Sequence, residues 1–178
     1  MFQLPLTRLR LAAPAVTVLF GLLTVTAFVQ PLLSAARIEP LASGLFTFLS
    51  VLCLQRPSHS FFILGHQMPV EQRLVALYTG LALAGGSYLR LRGRVRGLDI
   101  RAGLLLAAPI TADGLRGVLS AVDSDPLTRT WTAAAFALGF VWVVYPRLDW
   151  PSLRLAGWPW LGARLGPLRP QAVTRTGS

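Results

Sequence analysis

The sequence is poor in charge, in acidic residues and in cysteine. Charged residues make up 13% of the 178 residues, whereas a soluble domain carries about 25%. Hydrophobic residues make up 53%. This balance excludes a disordered chain, a coiled coil and an ordinary water-soluble enzyme, and it predicts an integral membrane protein. The single cysteine, Cys53, excludes an intramolecular disulfide and a Cys-x-x-Cys metal site.

The motifs of common catalytic sites are absent from the sequence as well. It contains no Gly-x-Ser-x-Gly elbow, no P-loop, no Gly-x-Gly-x-x-Gly and no His-Glu-x-x-His. Hydrolase, nucleotide-binding and zinc-protease functions therefore lack support. We expect a protein that is not an enzyme.

The charge that is present is strongly basic. The chain has 17 basic residues, all of them arginine, against 7 acidic residues, which gives a net charge of +10. In a soluble protein this excess would point to nucleic acid. In a membrane protein it is typical of cytoplasmic loops, where arginine fixes the orientation. We therefore expect a lipid bilayer as the partner and no nucleic acid.

Apolar stretches long enough for membrane helices recur along the chain. A crossing needs about 20 apolar residues. The sequence predicts an all-α, polytopic helical bundle of about five spans, with the second short and the fourth broken by Pro109, Asp113 and Arg116. Pro31 is expected to mark the end of the first span, for which a cleaved signal peptide is the competing interpretation. The five stretches are Leu11–Ala36, Leu41–Leu54, Leu74–Leu89, Ala102–Val122 and Thr130–Tyr145.

The loop between the third and fourth spans suggests the orientation. Residues 90–101, called the arginine loop below, contain Arg90, Arg92, Arg94, Arg96 and Arg101. A short basic loop belongs in the cytoplasm. Five spans then place the tail after Tyr145 in the cytoplasm and the segment from Cys53 to Arg73 outside. They also place Arg8 and Arg10 outside, against the rule.

Two regions follow from this division of the chain. Residues 1–146 are expected to form the transmembrane domain. Residues 147–178 are rich in Trp and Arg, a pairing that suits the headgroup layer, and we expect an interfacial tail that ends in disorder.

The segment from Cys53 to Arg73 contains both histidines of the protein and its cysteine. Thiol and imidazole groups are ordinary ligands for zinc or copper. Cys53, His59, His66 and Glu71 could supply four donors, although nothing in their spacing enforces a site. We therefore predict no cofactor and keep a transition-metal site as the alternative.

The same segment resembles a family of prokaryotic predicted membrane proteins, domain of unknown function twenty eighty-five. The family's pattern is roughly Cys-His-Gln-x-Pro-x-Arg-Ser-Phe-Phe, Gly-x-Gln-x-Pro and Cys-x-Arg-Cys-Thr-Gly-x-Tyr-x-Gly. A later element of the family pattern, a Pro followed by Asp-Gly and then by an Arg that opens the last span, resembles Pro109, Asp113-Gly114 and Arg129 of this chain. The resemblance implies a multi-pass protein of the prokaryotic plasma membrane. Besides Cys53 and Phe62, the matching positions are Gln55, Pro57, Ser60, Phe61, Gly65, Gln67, Pro69, Arg73, Tyr78 and Gly80.

The departures from that pattern bear on chemistry. The family's histidine after the first cysteine is Leu54 here, and its paired cysteines fall on Glu71 and Leu74. The family pattern invites a thiol-rich metal or redox site. The resemblance therefore implies that such a site is lost in this chain.

Asp113 and Arg116 are ionisable residues inside the fourth span. They lie three positions apart, on one face of a helix, and charges at membrane depth normally have a partner or a watery cavity. We expect an intramembrane ion pair between them, with a proton or ion pathway as the alternative.

Taken with the glycines of the third span, these features predict a scaffold or accessory subunit that packs against other membrane-protein subunits. The alternative is a metal-binding, redox or transport protein that uses the outward-facing Cys53–Arg73 segment.

Overall fold

The computed structural model describes residues 6–120 and 123–148. The described part contains five α-helices, a short 3-10 turn and one β-hairpin. The elements are α1 (Leu6–Ala35), α2 (Glu39–Ser50), the 3-10 turn (Pro57–His59), β1 (Ser60–Ile63), β2 (His66–Glu71), α3 (Gln72–Leu91), α4 (Ile100–Ser120) and α5 (Pro126–Leu148).

Four of the described helices are long and apolar enough to cross a membrane. These candidate spans are Leu11–Ala35 of α1 and the whole of α3, α4 and α5. The second predicted span forms α2, whose 12 residues rise about 18 Å, less than the roughly 30 Å of a bilayer core. The expectation that this stretch is short is confirmed.

Two proline predictions were wrong. Pro109 does not break the fourth span, because α4 is one continuous helix of 21 residues through it. Pro31 does not end the first helix, which continues to Ala35. A proline inside a helix removes one backbone hydrogen bond, and neighbouring structure can compensate for that loss. The predicted tail, residues 147–178, lies outside the described residues apart from the last two residues of α5.

Helix α3 lies at the centre of the bundle, where it packs against α1 on one side and α5 on the other. Its glycines make this possible. A Cβ atom at Gly80 would lie 2.7 Å from Ala137 Cβ of α5, and one at Gly85 would overlap Thr17 of α1. The glycines that suggested a surface for other subunits are therefore used inside the chain, except for Gly86, which faces open space. Helix α4 has extensive contacts with one other helix, α5.

The all-α prediction missed a β-hairpin between α2 and α3. Strands β1 and β2 pair antiparallel, with Ile63 opposite His66, so the turn consists of Leu64 and Gly65 alone. Both have positive φ angles, 51° and 80°, as a two-residue hairpin turn requires. The hairpin packs on α1, and Met68 and Val70 are buried there in one cluster with Ala27, Leu49 and Tyr78.

Candidate ligand-binding cleft

A polar cleft of about 290 Å³ opens where α3 and α5 begin and α4 ends. The hairpin and its 3-10 turn form the fourth wall. Apart from Gly114, Gly117 and Val118, its lining side chains are polar or charged. They are Arg56, His59, Glu71, Arg73, Asp113, Asp123, Ser124 and Arg129.

The deepest carboxylate of the cleft is Asp113 of α4. It is the one buried residue of that helix. Asp113 accepts hydrogen bonds from Arg73 of α3 and from the hydroxyl of Ser124. These bonds tie α4 to α3 and to the connector before α5.

The predicted ion pair between Asp113 and Arg116 is therefore wrong in its partner. Arg116 is exposed, and in the described part of the chain no ion pair is found for it. Helical spacing put the two residues on neighbouring positions, but α4 turns Asp113 inward toward α3. The resemblance to the family had singled out both Arg73 and Asp113, yet without pairing them.

His59 joins the hairpin to the connector between α4 and α5. Its Nε2 lies 3.0 Å from Asp123 Oδ2, and its Nδ1 lies 3.9 Å from Glu71 Oε2. The hydrogen bond from His59 lowers the pKa of the Asp123 carboxyl, and the positive charges of Arg129 and Arg56 lower it further. Neighbouring Asp125 caps α5, and its hydrogen bonds from Thr128 lower its pKa as well.

Arg129, in the first turn of α5, is the most buried cation of the cleft. Its side chain is 8% exposed, and Asp123 Oδ1 lies 3.4 Å from its Nη2. Asp123 itself is 72% exposed. A deeply buried guanidinium is thus matched by a surface carboxylate 3.4 Å away. Arg56 lies at the mouth of the same cleft and is exposed.

Two polar atoms next to the cleft have no hydrogen-bond partner within the described residues. They are Oε1 of Glu71 and Nε of Arg73. Buried polar atoms nearly always have a hydrogen-bond partner, so the hydrogen bonding of this wall is incomplete.

The four residues of the metal alternative are not brought together. Cys53 Sγ accepts a hydrogen bond from the backbone N–H of Glu71 at 3.3 Å, and His59 faces Glu71. His66 instead stands at the first position of β2, beside the turn. In the ranges 6–120 and 123–148, no three His, Cys, Asp or Glu side chains are grouped as metal ligands would be.

The position of Cys53 nevertheless makes sense of the departures from the family pattern. Its sulfur contacts the backbone of Glu71, and Cys53 packs in one cluster with Leu74. Those are the two positions at which the pattern has its paired cysteines. Cys53 and Glu71 are therefore neighbours in space, Leu74 packs against the same cluster as Cys53, and Glu71 and Leu74 carry no thiol here.

Most motif residues of the segment support the hairpin. The side-chain amide of Gln55 donates to Phe46 O at 2.7 Å and to Pro69 O at 2.9 Å. The amide of Gln67 donates to Gln55 O at 2.7 Å and to Ser60 Oγ at 3.2 Å. Gln55 also has a positive φ angle of 53°, so these bonds hold a backbone conformation that is uncommon outside glycine.

The other motif residues have packing or turn roles. Pro57 begins the 3-10 turn, and Gly65 completes the hairpin turn. Pro69 is fully buried. Phe61 and Tyr78 pack in the cluster under the hairpin, and Gly80 lies against Ala137.

Sequence reasoning missed the contributions of Arg56, Asp123 and Ser124 to the cleft. The run Asp123-Ser124-Asp125 lies between the fourth and fifth apolar stretches. One signal could have found it: Arg129 opens the last apolar stretch four residues beyond Asp125, and an arginine at membrane depth normally has a partner.

Comparison with known proteins yields one family match. No curated protein and no solved structure matches the chain. The family described as "Predicted membrane protein (DUF2085)" matches residues 53–143, a range that contains both the hairpin and the whole cleft. The chain belongs to that family of predicted membrane proteins.

Proposed function

We propose that the protein captures a small anionic group, a carboxylate or a phosphate, in the cleft, with Arg129 as the main ligand. The observation that carries the proposal is the state of this side chain. Arginine has five N–H donors, and Arg129 is 8% exposed with one carboxylate, Asp123, within ion-pair distance in the described part of the chain. Its guanidinium can bond an anion in bidentate fashion.

Two of the three carboxylates that line the cleft, Asp113 and Asp123, leave Arg129 available to an anion, and the third is Glu71 of β2. Asp113 is engaged by Arg73 and Ser124, so this deep carboxylate is already neutralised. Asp123 is 72% exposed and can move toward water when an anionic ligand takes its place. Arg56 adds a second guanidinium at the mouth.

Helix geometry adds to this preference. The cleft lies at the N-terminal ends of α3 and α5, where the helix dipole stabilises negative charge. The same dipole disfavours a cation in the first turn of α5, where Arg129 stands. An anion bound between these ends and Arg129 would offset that cost.

We further propose that the cleft opens on the outer side of a prokaryotic plasma membrane. Four crossings by α1, α3, α4 and α5 would place Arg8, Arg10, the arginine loop and the C-terminal tail on one side. Five crossings leave Arg8 and Arg10 on the other side. Because arginine accumulates in cytoplasmic loops, the scheme with four crossings accounts for all these arginines, and it leaves the cleft outside.

Anion binding is tested by calorimetry on the purified full-length protein with inorganic phosphate or acetate, at constant ionic strength set with chloride. A charge-assisted hydrogen bond contributes about 1.5–3 kcal/mol. We therefore expect Arg129→Gln to weaken binding by about tenfold to a hundredfold, and Arg56→Gln to weaken it less.

Arg116→Gln is the matched control, because Arg116 is exposed on α4 and does not line the cleft. Its affinity should equal that of the unmodified protein. The proposal is overturned if no heat of binding is measured with either anion. It is also overturned if the affinity is unchanged in both Arg129→Gln and Arg56→Gln. Arg56 is exposed, so its variant keeps the test valid if Arg129→Gln does not fold.

A role as scaffold or accessory subunit has one observation in its favour. Helix α4 has a single buried residue, Asp113, and exposes apolar side chains along its length, among them Leu104, Leu105 and Leu119. A photo-crosslinking residue at Leu105 should then capture one defined membrane protein, and the same residue at Leu22 of α1, also exposed, should not. Crosslinks to lipid alone at both positions would contradict this role. Neither proposal includes a catalytic step or a bound cofactor.

A further inference from the structure

Helix α2 presents three different faces. One face packs on α1, a second is exposed and apolar, and a third is exposed and polar. Residues that recur at intervals of three and four lie on one face of a helix. The three faces are the buried stripe of Ala42, Phe46 and Leu49, the apolar stripe of Leu41, Leu45 and Phe48, and the polar stripe of Ser43, Thr47 and Ser50.

The buried stripe fixes how α2 sits on the bundle. Ala42 and Leu49 are fully or almost fully buried, and Leu49 shares a cluster with Ala27 of α1 and Met68 of β2. Gln30 of α1 donates a hydrogen bond to Ala42 O at 3.5 Å. Rotation of α2 about its axis would break these contacts, so the exposure of the other two faces is set by the fold.

The apolar stripe is exposed to an unusual degree for a structure with a packed core. Leu41 is 52% and Phe48 61% exposed. On the polar stripe the hydroxyls of Ser43 and Ser50 donate to backbone oxygens of their own helix, Glu39 O and Thr47 O. The two exposed faces lie on roughly opposite sides of the helix, which is the pattern of a helix in a membrane interface.

Continuity with α1 identifies the medium that covers the apolar stripe. At the same end of the molecule, α1 exposes Phe28, Val29 and Leu32, and these belong to a candidate membrane span. Charged residues lie at the ends of α2 and not along it: Arg37 precedes the helix, Glu39 is its first residue, and Arg56 follows. The apolar stripe therefore extends an existing apolar surface and is bounded by charge where headgroups would be.

We propose that α2 is a monotopic interfacial helix whose apolar stripe binds the acyl chains of the membrane leaflet on the hairpin side. The helix does not cross the bilayer, because its 12 residues cover about 18 Å. The proposal is independent of anion binding in the cleft. It assigns the second apolar segment of the chain to one leaflet only.

Spin labels at single cysteines test the proposal in the full-length protein with Cys53→Ala, reconstituted in vesicles of phosphatidylethanolamine and phosphatidylglycerol. Collisions with oxygen report lipid exposure, and collisions with a water-soluble nickel chelate report water exposure. We expect labels at Leu41 and Phe48 to show an oxygen-to-nickel ratio several-fold higher than labels at Ser43 and Thr47 of the same helix.

Two reference positions calibrate the scale: Leu83, which is exposed within α3, and Ser58, which is exposed in the 3-10 turn. The labels at Leu41 and Phe48 should approach the ratio at Leu83. Nickel accessibility equal to that at Ser58 would show a helix in water, and low accessibility to both reagents would show a second copy of this chain on the stripe. Either result would overturn the proposal, and agreement between two labelled positions guards against a local defect.

Discussion

Arginines at the two ends of the bundle have opposite surroundings. In the arginine loop, Arg90, Arg94 and Arg96 are exposed, and the loop contains one acidic residue, Asp99. At the cleft, Arg73 and Arg129 are partly or deeply buried, and each faces an aspartate from another element. Arginine is thus exposed at one end, where we expect it to set the orientation, and buried in a candidate site at the other. The cleft arginines are distinguished by burial together with an aspartate from elsewhere in the fold.

The largest expected effect concerns which end faces the cytoplasm. With Cys53→Ala as background, Ser58→Cys should react with a membrane-impermeant thiol reagent in intact cells, and Arg94→Cys should react only after lysis. A cysteine at Phe2 should behave like Arg94→Cys if the chain crosses four times, and like Ser58→Cys if it crosses five times. Labelling is measured by a gel shift. Reaction of Arg94→Cys without reaction of Ser58→Cys in intact cells would reverse the orientation.

The second effect separates a cleft charge from an exposed one. Asp113→Ala should lower the free energy of unfolding by about 3 kcal/mol, the low end for breaking a buried ion pair, because Arg73 is 35% exposed and can turn toward water. Arg116→Ala should change it by no more than about 0.5 kcal/mol. Unfolding in mixed micelles, followed by circular dichroism, measures both.

A double-mutant cycle assigns the partner. Arg73 and Asp113 should show a coupling of about 1 kcal/mol or more, whereas Asp113 and Arg116 should be additive to within about 0.5 kcal/mol. Coupling to Arg116 instead of Arg73 would restore the pair that the sequence predicted.

A third effect concerns the contact that anchors the arginine loop on α5. A Cβ atom at Gly97 would lie 2.5 Å from Pro146 Cγ and 3.0 Å from Trp142 O, and Leu98 N–H donates to that oxygen at 2.8 Å. Gly97→Ala should cost about 1–3 kcal/mol through overpacking.

Gly86→Ala is the matched control, because nothing lies within 4 Å of its Cβ position. Alanine is the better helix former by up to about 1 kcal/mol, so thermal stability should hold or rise. Equal losses at both glycines would mean that contact with α5 does not anchor the loop.

The smallest effect is on the pH dependence at the cleft mouth. The pKa of Asp123 is lowered in the folded protein, first by the hydrogen bond from His59. Its stabilising contribution is therefore present above the unfolded pKa and is lost as pH falls through the folded pKa. Asp123→Asn lacks this contribution, so it should lower thermal stability slightly at neutral pH, match the unmodified protein at the acid end and thereby flatten the acid side of the profile, as measured by thermal melts from neutral to acid pH. An unaltered acid limb in this variant would argue against the His59 contact in solution.

Apolar runs predicted well the helices that are candidate membrane spans. Each of the first, third, fourth and fifth stretches lies almost wholly within a helix of the structure, because a continuous apolar run of sufficient length has few other solutions. The second stretch forms a shorter helix, α2.

The hairpin and the cleft were beyond that reasoning. Strand pairing between β1 and β2 depends on Gln55 and Gln67 bonding across the segment, and periodicity contains no information on such bonds. The partner of Asp113 comes from 40 residues earlier in the chain, and the nearest candidate in sequence, Arg116, points away. Local spacing favours local pairs, whereas the fold selected a distant one.

The order of Arg73 and Asp113 along the chain has a consequence for biogenesis. Membrane helices leave the ribosome in sequence order, so α3 enters the bilayer before α4 is complete. A carboxylate such as Asp113 is costly at membrane depth without a partner, by about 2.5–3.5 kcal/mol on insertion scales. Since Arg73 precedes it by 40 residues, the cation is already present at the N-terminal end of α3 when α4 is inserted. Synthesis from the N-terminus therefore supplies the counter-charge first, and a circularly permuted chain that made α4 before α3 would insert less efficiently.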